Sequence, residues 1–220
     1  MFIIRRQSAT TAILATALSV WAGTVLAETG VDTREVADSQ AWQEVNARYH
    51  RALEGDAEAV DQAIDHFEKT LDAAPDNALV RAYLGSTYTL KARDAAVWNK
   101  GRWVERGLDT LDEAVATAPG HPRVRLLRAA TAYNLPRVVG RYDTAREDFA
   151  ILLDAIAERP DTFAPELKRE IYFHTGAFAL KEGEDERALD LLEKAAAVEE
   201  SDVMEEQIAT MLRSARNRNS

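Results

Sequence analysis

The chain has 220 residues, no cysteine and a formal net charge of −10 at pH 7. Without cysteine it cannot form disulfides, thiolate metal sites or the acylated N-terminal cysteine of a bacterial lipoprotein. The acidic balance argues against general binding to nucleic acid or to anionic membranes. The length allows one domain with a substantial core or a short helical solenoid.

The first 27 residues have the pattern of a secretory signal peptide. Arg5 and Arg6 precede an uncharged, mainly apolar run, and the small residues Val25 and Ala27 stand where a signal peptidase reads. We expect cleavage after Ala27, a linker at 28–39 and a soluble periplasmic protein that is not a lipoprotein and does not insert into the membrane. The alternatives are an uncleaved membrane anchor and, for export, the twin-arginine route in place of the general secretory one.

Beyond residue 38 the apolar residues recur at helical spacing, and no stretch alternates with the two-residue period of a strand. Four clear apolar stripes, which include Ala63, Leu108, Phe149 and Ala188, each indicate a helix with one buried face. Proline-containing stretches at 75–77, 119–122 and 160–162 separate helical runs, and tight turns are expected at 54–56 and 182–185. The pattern predicts eight helices in four antiparallel pairs, followed by a ninth helix.

Two stretches of the chain are similar to each other. The sequence PDNALVRAYLGSTY (75–88) aligns with PGHPRVRLLRAATAY (119–133) with a slip of one residue. The preceding helices, AIDHFEKTLDAAP and GLDTLDEAVATAP, match position for position and end on Pro75 and Pro119. Two equivalent units therefore meet at equivalent joints, which is the signature of a repeat protein.

The segment YFHTGAFALKEGEDERALDLLEKAAAVEE, from Tyr172, resembles one complete tetratricopeptide repeat (TPR). It carries the family's small residues at the expected spacings: Gly176, Gly183, Ala188 and Ala195. It departs from the family at Thr175 and Glu200, where leucine and proline are preferred. The earlier units are more degenerate, and their signatures are Leu84, Gly85 and Tyr88 in a first helix and Gly107, Leu111, Ala114 and Pro119 in a second helix.

The earlier units also carry insertions. The second-helix anchors Ala63, Gly107, Ala145 and Ala188 are 44, 38 and 43 residues apart, against a family period of about 34. The resemblance implies an all-α, right-handed α-solenoid of about four TPR-like helix pairs over residues 40–202, of the exported bacterial kind. Residues 203–220 are expected to form a capping helix and a basic tail. The alternative fold is a generic helical bundle.

No motif in the sequence indicates catalysis, a cofactor or a metal. The four histidines are isolated, and the acidic clusters around 182–186 and 199–206 fit solvated helix ends. The glycines form no phosphate-binding loop, and no serine has the strand-to-helix setting of a nucleophile. We therefore expect a non-catalytic protein, although an enzyme built on helices remains a third alternative.

Residues 91–141 stand out because they are basic in an acidic chain. The window has ten lysines and arginines against five acidic residues: Lys91, Arg93, Lys100, Arg102, Arg106, Arg123, Arg125, Arg128, Arg137 and Arg141 are the cations. Trp98, Trp103 and Tyr133 lie among them. The segments KARDAAVWNKGRWVERG (91–107) and YNLPRVVGR (133–141) are interpreted as extended helix joints. The window is either a partner-binding surface or a region neutralised by acidic helices beside it.

The resemblance also implies a concave groove, because the first helices of TPR units line a groove that holds a peptide. Transferred to this sequence, it nominates Tyr83, Ser86, Thr89, Tyr133, Asn134, Phe173 and His174, together with Lys181. From the basic-aromatic joint we add Trp98, Arg102, Arg125 and Arg137. The leading hypothesis is a periplasmic scaffold for a protein or peptide of a cell-envelope assembly. The alternative is a receptor for an anionic small molecule serving an envelope transporter.

Overall fold

The computed structural model describes residues 40–139, 141–198 and 204–218, with side chains described from residue 47 onward. The predicted signal peptide and linker lie outside the described residues. The described part is helical and contains no strand. Its nine α-helices, numbered here in chain order, are α1 (Gln40–Leu53), α2 (Ala57–Ala73), α3 (Ala78–Asp94), α4 (Val97–Thr117), α5 (Pro122–Asn134), α6 (Tyr142–Glu158), α7 (Pro165–Glu182), α8 (Asp185–Ala196) and α9 (Met204–Arg218).

Side chains and turn residues explain several helix ends. The Asp56 carboxylate accepts hydrogen bonds from the amides of Glu58 and Ala59 at 2.9 and 3.2 Å, and so caps the start of α2. Asn77 caps α3 in the same way. Gly183 ends α7 with a φ of 79°, a left-handed conformation that glycine adopts without strain. These positions confirm the expected turns at 54–56, 75–77 and 182–185.

The helices form four consecutive pairs, α1–α2, α3–α4, α5–α6 and α7–α8, and each second helix also packs on the first helix of the next pair. Contacts between first helices keep the same direction along the chain: Tyr49 meets Ser86, and the Ala52 carbonyl meets Arg93. The first helices therefore run parallel to one another. This arrangement confirms the predicted solenoid of four helix pairs.

Glycines permit the closest helix crossings. A Cβ atom on Gly107 of α4 would lie 2.6 Å from the carbonyl oxygen of Gly85 in α3, and one on Gly85 would lie 2.8 Å from the Gly107 oxygen. A Cβ on Gly176 of α7 would lie 2.8 Å from Cγ of Leu192 in α8. Gly85, Gly107 and Gly176, three of the small residues that carried the TPR resemblance, thus lie where two helices pack closely.

The core runs through the solenoid as three neighbouring clusters of buried side chains. The first is centred on Phe67 and Tyr83, the second on Phe149 and Phe178, and the third on Leu192 with Ile208. Ile208 and Ala215 of α9 are 2% and 0% exposed and cover the apolar side of α8. Helix α9 is therefore the predicted cap. No described helix is long and apolar enough to cross a membrane.

The prediction of an extended joint at 91–107 was wrong. Only Ala95 and Ala96 separate α3 from α4, and the extra residues lengthen α4, which spans 21 residues. The physical reason is that residues 97–107 contain no proline, and Gly101 alone costs about 1 kcal/mol, too little to stop a helix. The joint at 135–141 does depart from a tight turn, with a 3-10 helix at Arg137–Val139.

Candidate partner-binding surfaces

The first helices lie side by side and form a continuous face, here called the first-helix face, that is tied together by polar contacts. The Tyr49 hydroxyl lies 2.8 Å from Oγ of Ser86, which lies 2.9 Å from Oγ1 of Thr131. Further along, the Tyr133 hydroxyl lies 3.0 Å from Nδ1 of His174. These hydrogen bonds join α1 to α3, α3 to α5 and α5 to α7, so they fix the spacing of the units.

Four of the residues predicted to line the groove are buried in this face. Tyr83, Ser86, Tyr133 and Phe173 are only 1–4% exposed. Tyr83 packs edge-on against Tyr49 with ring centroids 4.9 Å apart. Tyr83, Ser86 and Tyr133 contact neighbouring units, and Phe173 packs in the cluster with α8 and α9. The structure does not present these side chains to a ligand. The TPR alignment identified the right helices but could not show how closely neighbouring first helices cover these positions.

The other predicted groove residues reach the surface. Asn134 is exposed, and Thr89 and His174 are half-buried. The Nζ atom of Lys181, which is also exposed, donates a 3.0 Å hydrogen bond to the Tyr133 carbonyl beside Asn134. The exposed members of the predicted set, Asn134 and Lys181, are therefore polar and lie towards the ends of α5 and α7.

Burial also sets the charge state of this face. Burial lowers the pKa of His174 to about 4, because the surrounding protein penalises the charged imidazole. His174 is therefore neutral at pH 7. Burial raises the pKa of Tyr133 to about 12, so its hydroxyl also stays neutral. The His174–Tyr133 contact is a neutral hydrogen bond between two helices.

The basic window is largely neutralised by carboxylates, most of which belong to other helices. Eight of its ten cations form ion pairs, and Lys100 donates to the carbonyl of Arg93. The carboxylates come from several helices and are Asp61, Glu68, Asp94, Asp112, Asp148, Glu170 and Glu182. Within the described residues, Arg102 alone of the ten has no partner. The excess of positive charge in the window thus mainly balances acidic charge elsewhere in the fold.

Arg125 and Arg128 of α5 are held by one buried acid. Asp148 of α6 is fully buried, and its carboxylate lies 2.6 Å from Nη1 of Arg125 and 2.7 Å from Nε of Arg128. Arg128 also pairs with Asp112 of α4 at 3.0 Å. The cluster ties α4, α5 and α6 together. Asp148 was not predicted from the sequence, although its place on the apolar stripe with Ala145 and Leu152 was a detectable signal.

Arg137, from the joint before α6, is also engaged. It pairs with Glu182 of α7 and lies over the Tyr142 ring, with its guanidinium carbon 4.4 Å from the ring centroid. Glu182 binds Arg146 of α6 as well, at 2.5 Å. Arg137 therefore links the third and fourth pairs, although 63% of its side chain remains exposed.

Trp98 and Arg102 differ from the rest of the window. They lie four residues apart at the start of α4, which places them on the same face of that helix. Trp98 is 82% exposed and the neighbouring Val97 is 80% exposed. Arg102 is exposed as well. An aromatic side chain and an unpaired arginine on one face have the composition of an interface anchor.

A shallow cleft of about 430 Å³ lies between α6, α7 and α8. Its walls are mainly apolar, with Leu153, Ile156 and Leu191, and Tyr172 also lines it. Arg187 and Lys194 at its edge pair with Glu184 and Asp190. The cleft lies outside the basic window at 91–141. Among the described residues, no group of three acidic, histidine or cysteine side chains is placed to hold a metal ion.

Comparisons with known proteins agree with the helical repeat. No protein-family model matches the sequence, and no curated protein matches it. The chain is similar in structure to a thermophilic TPR protein from Thermus thermophilus solved by crystallography, with a TM-score of 0.54 and 19% sequence identity. The match covers 84% of this chain and 97% of that one. The chain therefore has a TPR-like α-solenoid fold.

Proposed function

We propose that the protein is a non-catalytic scaffold that binds a protein or peptide partner of a cell-envelope assembly in the periplasm. The observation that carries this proposal is the exposure of Val97 and Trp98 beside Arg102, which has no partner in the part of the chain that the structure describes. Large apolar side chains with an adjacent free arginine lose unfavourable contact with water when a partner covers them. The solenoid supports such a role, because repeat folds present extended surfaces for binding.

Two surfaces are available to the partner. One is the start of α4 with Val97, Trp98 and Arg102, and the other is the polar end of the first-helix face with Asn134 and Lys181. They lie on different units, so substitutions can separate them. Arg125 is not suitable for such a test, because its substitution would leave the buried Asp148 short of a partner and would disturb the fold.

Co-purification of tagged protein from the periplasmic fraction tests the proposal. We expect one or a few proteins to be recovered with the native chain in stoichiometric amounts, and recovery to fall when Trp98→Ala and Arg102→Ala are combined. The Asn134→Ala, Lys181→Ala double variant tests the first-helix face in the same way. Lys69→Ala, which removes an exposed cation from α2, is the control. Recovery of no protein in stoichiometric amounts by the native chain would contradict the scaffold role.

The periplasmic location is tested separately. If the signal sequence works as proposed, the mature protein begins at Glu28 and fractionates with the periplasm. N-terminal sequencing by mass spectrometry checks the cleavage site. A chain that retains Met1 or remains in the cytoplasm contradicts the proposed location without affecting the partner-binding proposal.

The alternative of a receptor for an anionic small molecule stays a prediction. The ion pairs of the basic window disfavour it, since most of its cations already bind carboxylates. Thermal unfolding in the presence of a panel of organic anions tests it: a reproducible rise in the melting temperature would support the receptor.

A further inference from the structure

The exposed apolar side chains are arranged along one edge of the solenoid. Because the first helices run parallel, their C-terminal ends and the joints that follow them, at 54–56, 95–96, 135–141 and 183–184, lie along the same edge, here called the turn edge. All four large apolar side chains that are exposed in the described part of the chain belong to it: Leu53, Val97, Trp98 and Val138. Such residues occur singly on most surfaces, but here they lie at three successive joints.

Gly101 lies beside these side chains and is not required by helix packing within the described residues. The helical glycines Gly85, Gly107 and Gly176 each lie at a close crossing, where a Cβ would meet another residue at 2.5–2.8 Å. Gly101, in α4 between Trp98 and Arg102, has nothing within 4 Å of the position of a Cβ. Glycine inside a helix is unfavourable, and one of its uses is to let another backbone approach closely. Gly101 therefore marks where a partner chain can approach α4.

The charges of the turn edge point to the chemistry of that partner. Arg51 and Arg102 are exposed and have no partner within the described residues. Of the acids at the first two joints, Asp56 caps α2 and Asp94 lies 3.4 Å from Arg93, which leaves Glu54. The free charge at these joints is positive in a protein whose net charge is −10. These two joints attract an acidic partner, whereas the whole chain is repelled by an anionic bilayer.

We propose that the turn edge around Trp98 binds an acidic, amphipathic polypeptide segment that approaches the α4 backbone at Gly101. Trp98 and Val97 contact the apolar side chains of the segment, and Arg102 pairs with one of its carboxylates. The extended spacing of the exposed apolar residues suits a linear segment better than a compact ligand. This inference rests on the proposed function and specifies the surface and the partner chemistry.

Selection from a random-peptide phage library against the purified mature protein tests the proposal. We expect enriched peptides to combine acidic and large apolar residues, with affinity reduced about 30-fold by Trp98→Ala and about tenfold by Arg102→Ala. Lys69→Ala is the matched control and should leave affinity unchanged. Trp98→Ala and Arg102→Ala alter exposed side chains, and circular dichroism verifies that both variants fold.

Gly101→Ala provides a second test, because a residue with only a structural role would not affect peptide binding. The substitution should raise the melting temperature by about 2–4 °C, because alanine favours the helix, and it should still weaken peptide binding. A stabilised variant with unchanged binding would show that no chain approaches α4 at this point.

Several outcomes overturn the proposal. It fails if no peptide is enriched, if the enriched peptides are basic, or if their binding is unaffected by both Trp98→Ala and Arg102→Ala. Binding to phosphatidylglycerol vesicles that depends on Trp98 would identify a membrane as the occupant instead. Self-association in sedimentation that Trp98→Ala abolishes would identify a second copy. If co-purified partners depend on Asn134 and Lys181 but not on Trp98, this proposal fails while the proposed function stands.

Discussion

The two halves of the basic window differ in how their arginines are paired in the fold. On α5, Arg125 and Arg128 surround the buried Asp148 and hold three helices together. At the start of α4, Arg102 lies in solvent beside Trp98. The halves differ in composition, because all five acidic residues of the window lie before residue 117. What separates Arg102 from Arg125 and Arg128 is whether another helix supplies a carboxylate, so an excess of local charge in a sequence does not by itself identify a binding surface.

The largest effect is expected at the α5 half. Asp148→Ala would leave Arg125 and Arg128 without their shared buried partner, and we expect a loss of about 3–5 kcal/mol in the free energy of unfolding. Urea denaturation measures it. Asp112→Ala is the matched control: its side chain is 39% exposed, so we expect a loss of about 1 kcal/mol or less. Equal losses for the two variants would show that the Asp148 cluster does not stabilise the fold.

Two glycines in α4 sharpen the same contrast within one helix. Gly107→Ala places a Cβ against the Gly85 carbonyl and should destabilise the protein by about 1–3 kcal/mol. Gly101→Ala faces open space and should stabilise it by about 0.5–1 kcal/mol. Thermal and urea unfolding measure both values. Changes of the same sign would contradict the division of α4 into a packed part and an exposed part.

The pH dependence of stability tests the buried first-helix face. The pKa of His174 is about 4 in the folded protein, against 6.5 for an ordinary histidine. The unfolded chain therefore binds more protons between these values. The contribution of neutral His174 to the free energy of unfolding is complete above pH 6.5. It is lost as the pH falls towards 4, at about 1 kcal/mol per pH unit. His174→Gln should reduce this slope, and parallel curves for the two proteins would contradict the assignment.

The smallest effect on stability is expected at the turn edge. Arg102→Ala should change the free energy of unfolding by less than about 0.5 kcal/mol, because the side chain has no partner within the described residues. Lys69→Ala, the exposed cation on α2, should behave in the same way. Only Arg102→Ala should reduce partner recovery. A loss of stability well beyond that of Lys69→Ala would mean that Arg102 supports the fold.

The fold was predictable from the sequence because its signals are local. The helical period, the proline joints and the glycines of the last repeat are set by neighbouring residues, and they predicted four pairs and a cap. The site was less predictable because pairing is set by residues far apart in the chain. Arg125 meets Asp148 from another helix, and Tyr83 is covered by Tyr49. The prediction of an extended joint at 91–107 was wrong because the extra residues lengthen α4 and not the joint.

Photo-crosslinking in cells tests most directly whether the turn edge around Trp98 binds a partner, with a photoreactive residue placed in turn at positions 98, 134 and 69. Position 98 reports on the part of the turn edge around Trp98, position 134 on the end of α5, and position 69 on the exposed side of α2. The account predicts a strong crosslink from position 98 to a segment rich in acidic and large apolar residues, which Arg102→Ala weakens. A crosslink from position 98 no stronger than that from position 69 would contradict it.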